Sequence, residues 1–312
     1  MGDPWGLLVE PVVSYGFMRA GLLAAVVVGL SASVLSCLLV VRSQALLGDA
    51  ISHAVLLGVA LGYLVAEAAG VFVGALVVAV GTGVLITFIE RNSPVKLDAV
   101  MGICFTATFA LGLAIISVAD PRGIDLFHVL FGNVLGVSTE DLVLTAVAGG
   151  LVLVALVVLF RPLHLWSFDP VMAQAVGLPV GLLQYVFTGL LSATIVASLQ
   201  AVGLVLVVAM LITPGATALL LARRLSTMMA TAAAVGVVAA VGGLYGSYHL
   251  DVASGPAIVL TATLLFALAL VAAPRRGLLV VAARRRRVRR RVRSRGPAPA
   301  GDATSTASTA EK

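Results

Sequence analysis

Long apolar runs separated by short polar breaks dominate this 312-residue chain. A helix that crosses a bilayer needs about 20 mostly apolar residues. Nine stretches meet that need, at about 17–41, 49–66, 70–89, 99–119, 140–160, 181–199, 201–222, 228–246 and 256–273. The second is short, and the sixth and seventh nearly touch, so a count of eight or ten also fits. The pattern predicts an all-α fold, a polytopic membrane bundle of about nine transmembrane helices. Its expected parts are an extracytoplasmic N-terminal segment (1–16), a transmembrane domain (17–273) and a basic, then disordered, cytoplasmic tail (274–312).

The polar breaks predict an orientation. One alternating set holds Arg42, then Arg91 and Lys96, then Arg161, then Arg223 and Arg224; the opposite set holds only Arg122. Basic residues accumulate on the cytoplasmic side of membrane proteins. The first set is therefore expected inside, with the amino terminus outside and the basic carboxyl tail inside. The outer breaks carry Glu67, Asp120, Asp125, Glu140, Asp141 and Asp251, a surface that suits an approaching cation. Acids say little about topology, so a merely solvated rim fits equally.

Composition narrows the class. The chain is 61% hydrophobic and 11% charged, with a mean hydropathy of +1.13, whereas soluble domains are about a quarter charged. A soluble core cannot absorb so much apolar surface. Acids stand near the start where a signal peptide has basic residues, so no cleavable leader is expected. Cys37 and Cys104 lie alone in apolar runs, which points to packing rather than to a disulfide or metal motif. Gly58 with Gly62, and Gly70 with Gly74, have the GxxxG spacing that lets helices approach closely in lipid.

Between the fifth and sixth runs lies "RPLHLWSFDPVMAQAVGLPVG". Asp169 is a good N-cap and Pro170 suits the first helical position. Val171 to Val176 then form a short helix, closed by Gly177 and Pro179. A rigid helix there could pass on a push from a soluble partner, or simply close a loop. Across the membrane, Ser138 and Asp141 have capping-box spacing at the start of the fifth run, and "LFHVLFG" is apolar enough to lie at the interface.

The chemistry concentrates in "LLGDAISHAVLLGVALGYLV", residues 46–65. Asp49 and His53 are four apart and share a helix face, with Ser52 beside them. A carboxylate and an imidazole are costly against lipid and must face protein or a water-filled path. Three readings fit the spacing. Asp49 caps the second span while His53 packs; the pair relays protons; or the pair is half of a transient metal site, since such oxygen and nitrogen donors suit divalent Mn, Fe or Zn. Asp98, which opens the fourth run, reads as a cap, and His128 and His164 as structural or exposed loop residues. Pro214 in "LITPGATA" is expected to break the seventh span.

The segment "GDAISHAVLLGVALGYL" resembles the signature of ABC-transporter permeases for divalent transition metals, the manganese, zinc and iron uptake family. "LFGNVLGVS" (130–138), "FDPVMAQAVGLPV" (168–180), "VGLVLVVAMLITPGATALLLAR" (202–223) and "GLYGSYHLDVASGPAIVL" (243–260) resemble its further segments in the same order. Leu57 replaces the family's proline, so the kink that proline causes is expected to be lost. "LDAVMG" keeps Asp98 but lacks the preceding acid.

The resemblance implies the membrane permease subunit of an ATP-driven importer of Mn, Zn or Fe in a bacterial plasma membrane. It implies a homodimer with a second permease copy, a cytosolic ABC ATPase dimer engaging the helix near 169–177, and an extracellular metal-binding lipoprotein. It also implies that Asp49 and His53 touch the passing ion and that His249 and Asp251 meet it at the outer mouth. No cofactor is bound permanently; the metal is cargo. The chain has no GxxxxGKS/T loop, so ATP hydrolysis is expected on a separate chain and this one is not an enzyme. Alternatives are an ABC permease for a metal chelate or cobalamin-like substrate, and a proton-coupled secondary metal transporter. The arginine-rich tail suits contact with anionic membrane lipid; without an accompanying fold it does not point to nucleic acid.

Overall fold

The computed structural model describes residues 14–119, 132 and 134–273. The amino-terminal segment, the arginine-rich tail, Asp120, Arg122, Asp125 and His128 lie outside these residues. No strand occurs among the described residues. Eleven helices do: α1 (Gly16–Val41), α2 (Ala45–Glu67), α3 (Ala69–Asn92), α4 (Leu97–Ala119), α5 (Thr139–Val158), α6 (Phe160–Phe168), α7 (Pro170–Ala175), α8 (Val180–Val202), α9 (Leu204–Leu221), α10 (Leu225–Leu250) and α11 (Ser254–Ala272). Nine of them, α1–α5 and α8–α11, are long and apolar enough to cross a membrane. The short second run is a full span, because its helix starts earlier, at Ala45. The sixth and seventh runs are two helices, parted by Gly203 alone at φ 78°.

Helices α1 and α2 are the most enclosed spans, while α4, α5 and α11 present most of their surface outward. Small residues let α1 sit at the centre. A Cβ on Gly215 of α9 would run into Ser36, and one on Gly236 of α10 into Ser33 and the Gly29 carbonyl. Backbones this close gain packing contacts that lipid tails would otherwise supply. Pro214 does not break its span as expected: α9 runs through it as one helix. The proline withholds only one backbone donor, and the Gly215 beside it is pressed against α1.

Helices α2 and α3 form a hairpin. It turns at Ala66 and Glu67, whose φ is 49°. The two GxxxG pairs face each other: Gly58 meets the Gly74 carbonyl, and Gly62 meets that of Gly70. Helix α2 is straight at Leu57, since its only non-helical residues are at the turn. Gly112 of α4 brings its backbone against Leu57 from the other side.

Connectivity gathers Arg42, Arg91, Lys96, Arg161, Arg223 and Arg224 at one end of the bundle, and Glu67, Glu140, Asp141 and Asp251 at the other. At the acidic end the Ser138 hydroxyl caps α5, accepting from the Asp141 N–H at 3.1 Å. At the basic end the segment after α5 contains a helix the sequence reading did not anticipate, α6. Its Trp166 is fully buried, lies under the Arg42 guanidinium at 4.4 Å and packs on Phe187 of α8 at 5.6 Å. Burial pushes Arg42 below its ordinary range and the nearby Glu90 carboxylate pulls it back. Glu90 also accepts from the side-chain amides of Gln44 and Gln184. One carboxylate near the end of α3 thus ties in the starts of α2 and α8, with Arg42 at the end of α1 beside it.

Two variants test this packing by thermal unfolding in detergent. Gly62→Leu should destabilise by about 1–3 kcal/mol or more, because Gly70 backbone occupies the space a side chain needs. Glu90→Ala should cost about 1–3 kcal/mol, because two amide donors lose a shared acceptor.

Candidate functional site

Asp49 lies inside α2, and Gln44 holds the N-cap position. The reading of Asp49 as a cap is therefore overturned: the helix begins with Ala45, Leu46 and Leu47, one turn ahead of it. One turn apart on the same face, Asp49 Oδ1 and His53 Nε2 approach to 3.4 Å. The imidazole side chain is 23% exposed and the carboxylate 37%. Ser52 is fully buried, and its hydroxyl donates to the Gly48 carbonyl at 2.7 Å. It therefore belongs to its own helix and adds no donor to the pair.

Helix α4 supplies the facing wall. The rings of Phe105 and Phe109 meet the imidazole edge-on at 4.8 and 5.5 Å. His53 Nδ1 is buried and has no hydrogen-bond partner. Below the pair a cleft of about 180 Å³ is lined by Asp49, Asp98, Met101 and Phe105, among others. Asp98 stands in the first turn of α4, where its charge suits the helix dipole, and it shares this cleft with Asp49. Sequence reading treated Asp98 only as a cap. The available signal was topological: α2 and α4 both start at the basic end, so acids near their starts can meet. No group of three His, Cys, Asp or Glu residues converges on a metal-sized space among the described residues.

The other candidates lie elsewhere. His249 and Asp251 are exposed at the acidic end of the bundle, the end opposite Asp49 and His53. Asp251 closes α10 in a left-handed conformation, φ 52°, and His249 contacts the Tyr248 ring. The structure does not bring this pair to Asp49 and His53. His164 is on helix α6 rather than in a loop, between the rings of Phe160 and Phe168.

The short helix at the basic end matches its sequence signals. The Asp169 carboxylate accepts from the Met172 N–H at 2.8 Å, and Pro170 is the first residue of α7. Gly177 takes φ 83°. The Gly177 N–H donates to Gln174 and the Leu178 N–H to Ala173, both at 3.0 Å, the paired closure that a left-handed glycine permits. Phe168, Val171, Met172 and Val176 stand exposed around it.

Comparison with known proteins fits this architecture. Residues 14–273 match the ABC 3 transport family. The manganese transport system membrane protein MntC of Halalkalibacterium halodurans is 49% identical over 270 residues, 86% of this chain and 92% of that protein. The chelated iron transport system membrane protein YfeD of Yersinia pestis is 43% identical over 269 residues, 86% of this chain and 89% of that one. Among solved structures, PsaBC from Streptococcus pneumoniae in complex with Fab aligns with a TM-score of 0.78 at 38% identity, over 88% of this chain and 98% of that chain. With nine candidate spans, a match across nearly all described residues and relatives this similar, the chain belongs to the ABC 3 transport family and is a multi-pass permease of the bacterial plasma membrane.

Proposed function

We propose that this chain is the membrane path of an ATP-driven importer for bare divalent transition-metal ions, manganese foremost. The observation that carries the proposal is the Asp49–His53 pair, 3.4 Å apart on an enclosed span, with Asp49 lining a cleft that it shares with Asp98. Carboxylate oxygen and imidazole nitrogen are donors that Mn, Fe and Zn accept. The relatives' names support manganese or iron as cargo. A bare ion suits the site better than a chelate or cobalamin, because ionic donors line a cleft of only about 180 Å³.

Two donors do not complete a coordination shell, and the described residues bring no third to them. A second copy of this chain, paired so that the two clefts face, would supply two more. An incomplete and symmetric site also lets the ion leave, as transport requires. The acidic end then faces outward and receives metal from an extracellular binding protein, with His249 and Asp251 at the mouth. The basic end faces the cytoplasm, as the distribution of positive charge favours.

Helix α7 is where a cytosolic ATPase dimer would engage. It is capped at both ends, so it moves as one piece. Val171 and Met172 on it and Val176 just after it are exposed and form an apolar patch of the kind that marks a protein contact. Trp166 of the preceding helix is clamped to α1 and α8, so a push on α7 is delivered to spans that flank the ion path. ATP-driven closure below would thereby switch the path between outward-open and inward-open states.

Reconstitution with the ATPase and binding protein tests the ion path. Asp49→Ala and His53→Ala should each cut ATP-dependent manganese uptake by at least about tenfold, the lower bound for losing even a supporting group at a metal. Undiminished uptake in both variants would remove the site. Separately, Met172→Asp should weaken co-purification of the ATPase without altering the thermal unfolding of the permease; unchanged co-purification would relocate the contact.

A further inference from the structure

A two-part cavity on the flank of the bundle has no place in the ion path. Helices α5 and α10 both pack on α1 and leave a groove between them. It measures about 380 Å³ and is lined by apolar side chains, among them Val34 of α1, Leu153 and Val157 of α5, and Met229 and Ala233 of α10. At the basic end the groove meets Phe160 of α6. Phe160 also lines a second cavity, of about 430 Å³, with His164, Phe168, Arg223, Arg224 and Ser226. Both arginines are exposed, and no carboxylate lies within ion-pair distance of either among the described residues.

The arrangement has a polarity. Met229 and Ala233 lie four and eight residues into α10, which begins at Leu225. They therefore sit about 6–12 Å along the span from the arginines. A charged pocket at the edge of the bilayer thus adjoins, across Phe160, an apolar groove at acyl-chain depth. Guanidinium groups bind phosphate through paired N–H donors. Basic pockets between membrane helices attract anionic headgroups. A soluble partner has no use for the lipid-side groove, and a neutral lipid has no use for two guanidinium groups that have no carboxylate partner among the described residues.

We propose that this cavity is a binding site for one anionic phospholipid, its phosphate held by Arg223 and Arg224 and an acyl chain laid between α5 and α10. The stacked rings of Phe160 and His164, with Phe168 edge-on to His164, form the wall against which the headgroup and glycerol rest. Bound lipid would join α10 to α6, and hence to the segment that carries α7.

Native mass spectrometry of the full-length protein in detergent, titrated with phosphatidylglycerol or with phosphatidylcholine of identical acyl chains, reads the site without transport. Its outcome is therefore independent of the metal reading. Phosphatidylglycerol should bind as one tight copy per chain and phosphatidylcholine weakly. Arg223→Ala with Arg224→Ala should weaken phosphatidylglycerol about thirtyfold, the effect of two basic residues at a membrane surface, while the double lysine variant should retain most of it. Ala230→Trp, at an exposed position lining the groove, should weaken binding with both arginines intact. Lys96→Ala, a cation at the same end but outside the cavity, should change nothing. Equal thermal unfolding in lipid-free detergent certifies each variant's fold. Equal binding of the two lipids, or undiminished phosphatidylglycerol binding by the double alanine variant, would overturn the proposal. So would displacement of the lipid by an equal concentration of inorganic phosphate, which would make the pocket a site for the free ion.

Discussion

Backbone meets backbone where α2 and α3 turn back on each other. Gly62 has no side chain because the Gly70 carbonyl stands in that space, and Gly58 yields in the same way to Gly74. In hydrocarbon the hydrophobic effect gives helices little reason to associate, so fit and close approach must do it. The hairpin built this way is then trapped by α4, through Gly112 on Leu57 and the phenylalanine pair on His53. The Asp49 face meets α4 only because the hairpin holds α2 in this position and rotation.

The basic end is organised by a different force. Glu90, two glutamine amides and a half-buried arginine stacked on Trp166 make a polar knot where the ends of five helices meet. Glycine contacts fix the spans within the membrane, and the knot fixes the segment outside it. A bundle of this kind has two mechanical regions: a tightly fitted middle, and an end held by charged and polar contacts.

Much of this was legible in the chain. Nine apolar runs became nine spans because, in lipid, a helix is the only way for a single segment to satisfy its own backbone. The caps at Ser138 and Asp169 were legible because a short polar side chain before a helix has few other uses. Helix α6 was missed because "RPLHLWSF" is short and carries a proline near its start, where a helix tolerates one; its order comes from Trp166, a tertiary contact. Asp49 was partly misjudged, because the apolar run hid where α2 begins. Pro214 was overread: a missing donor does not break a helix whose neighbours hold it on several sides. Asp98 needed the topology before its cleft could be seen. Leu57 was read correctly as the loss of a bend.

His53 has one more consequence. Histidines that keep metals permanently give their second ring nitrogen to an acceptor, which locks the tautomer and strengthens the donor. Among the described residues no acceptor reaches Nδ1 of His53, and the Phe105 and Phe109 rings pack edge-on with the imidazole. A cation on Nε2, as proposed, would leave that second N–H without a protein acceptor, so its grip would be weaker and its dwell time shorter. In the proposed ion path the aromatic wall would therefore act on the rate of release, setting a ceiling on how long a passenger stays.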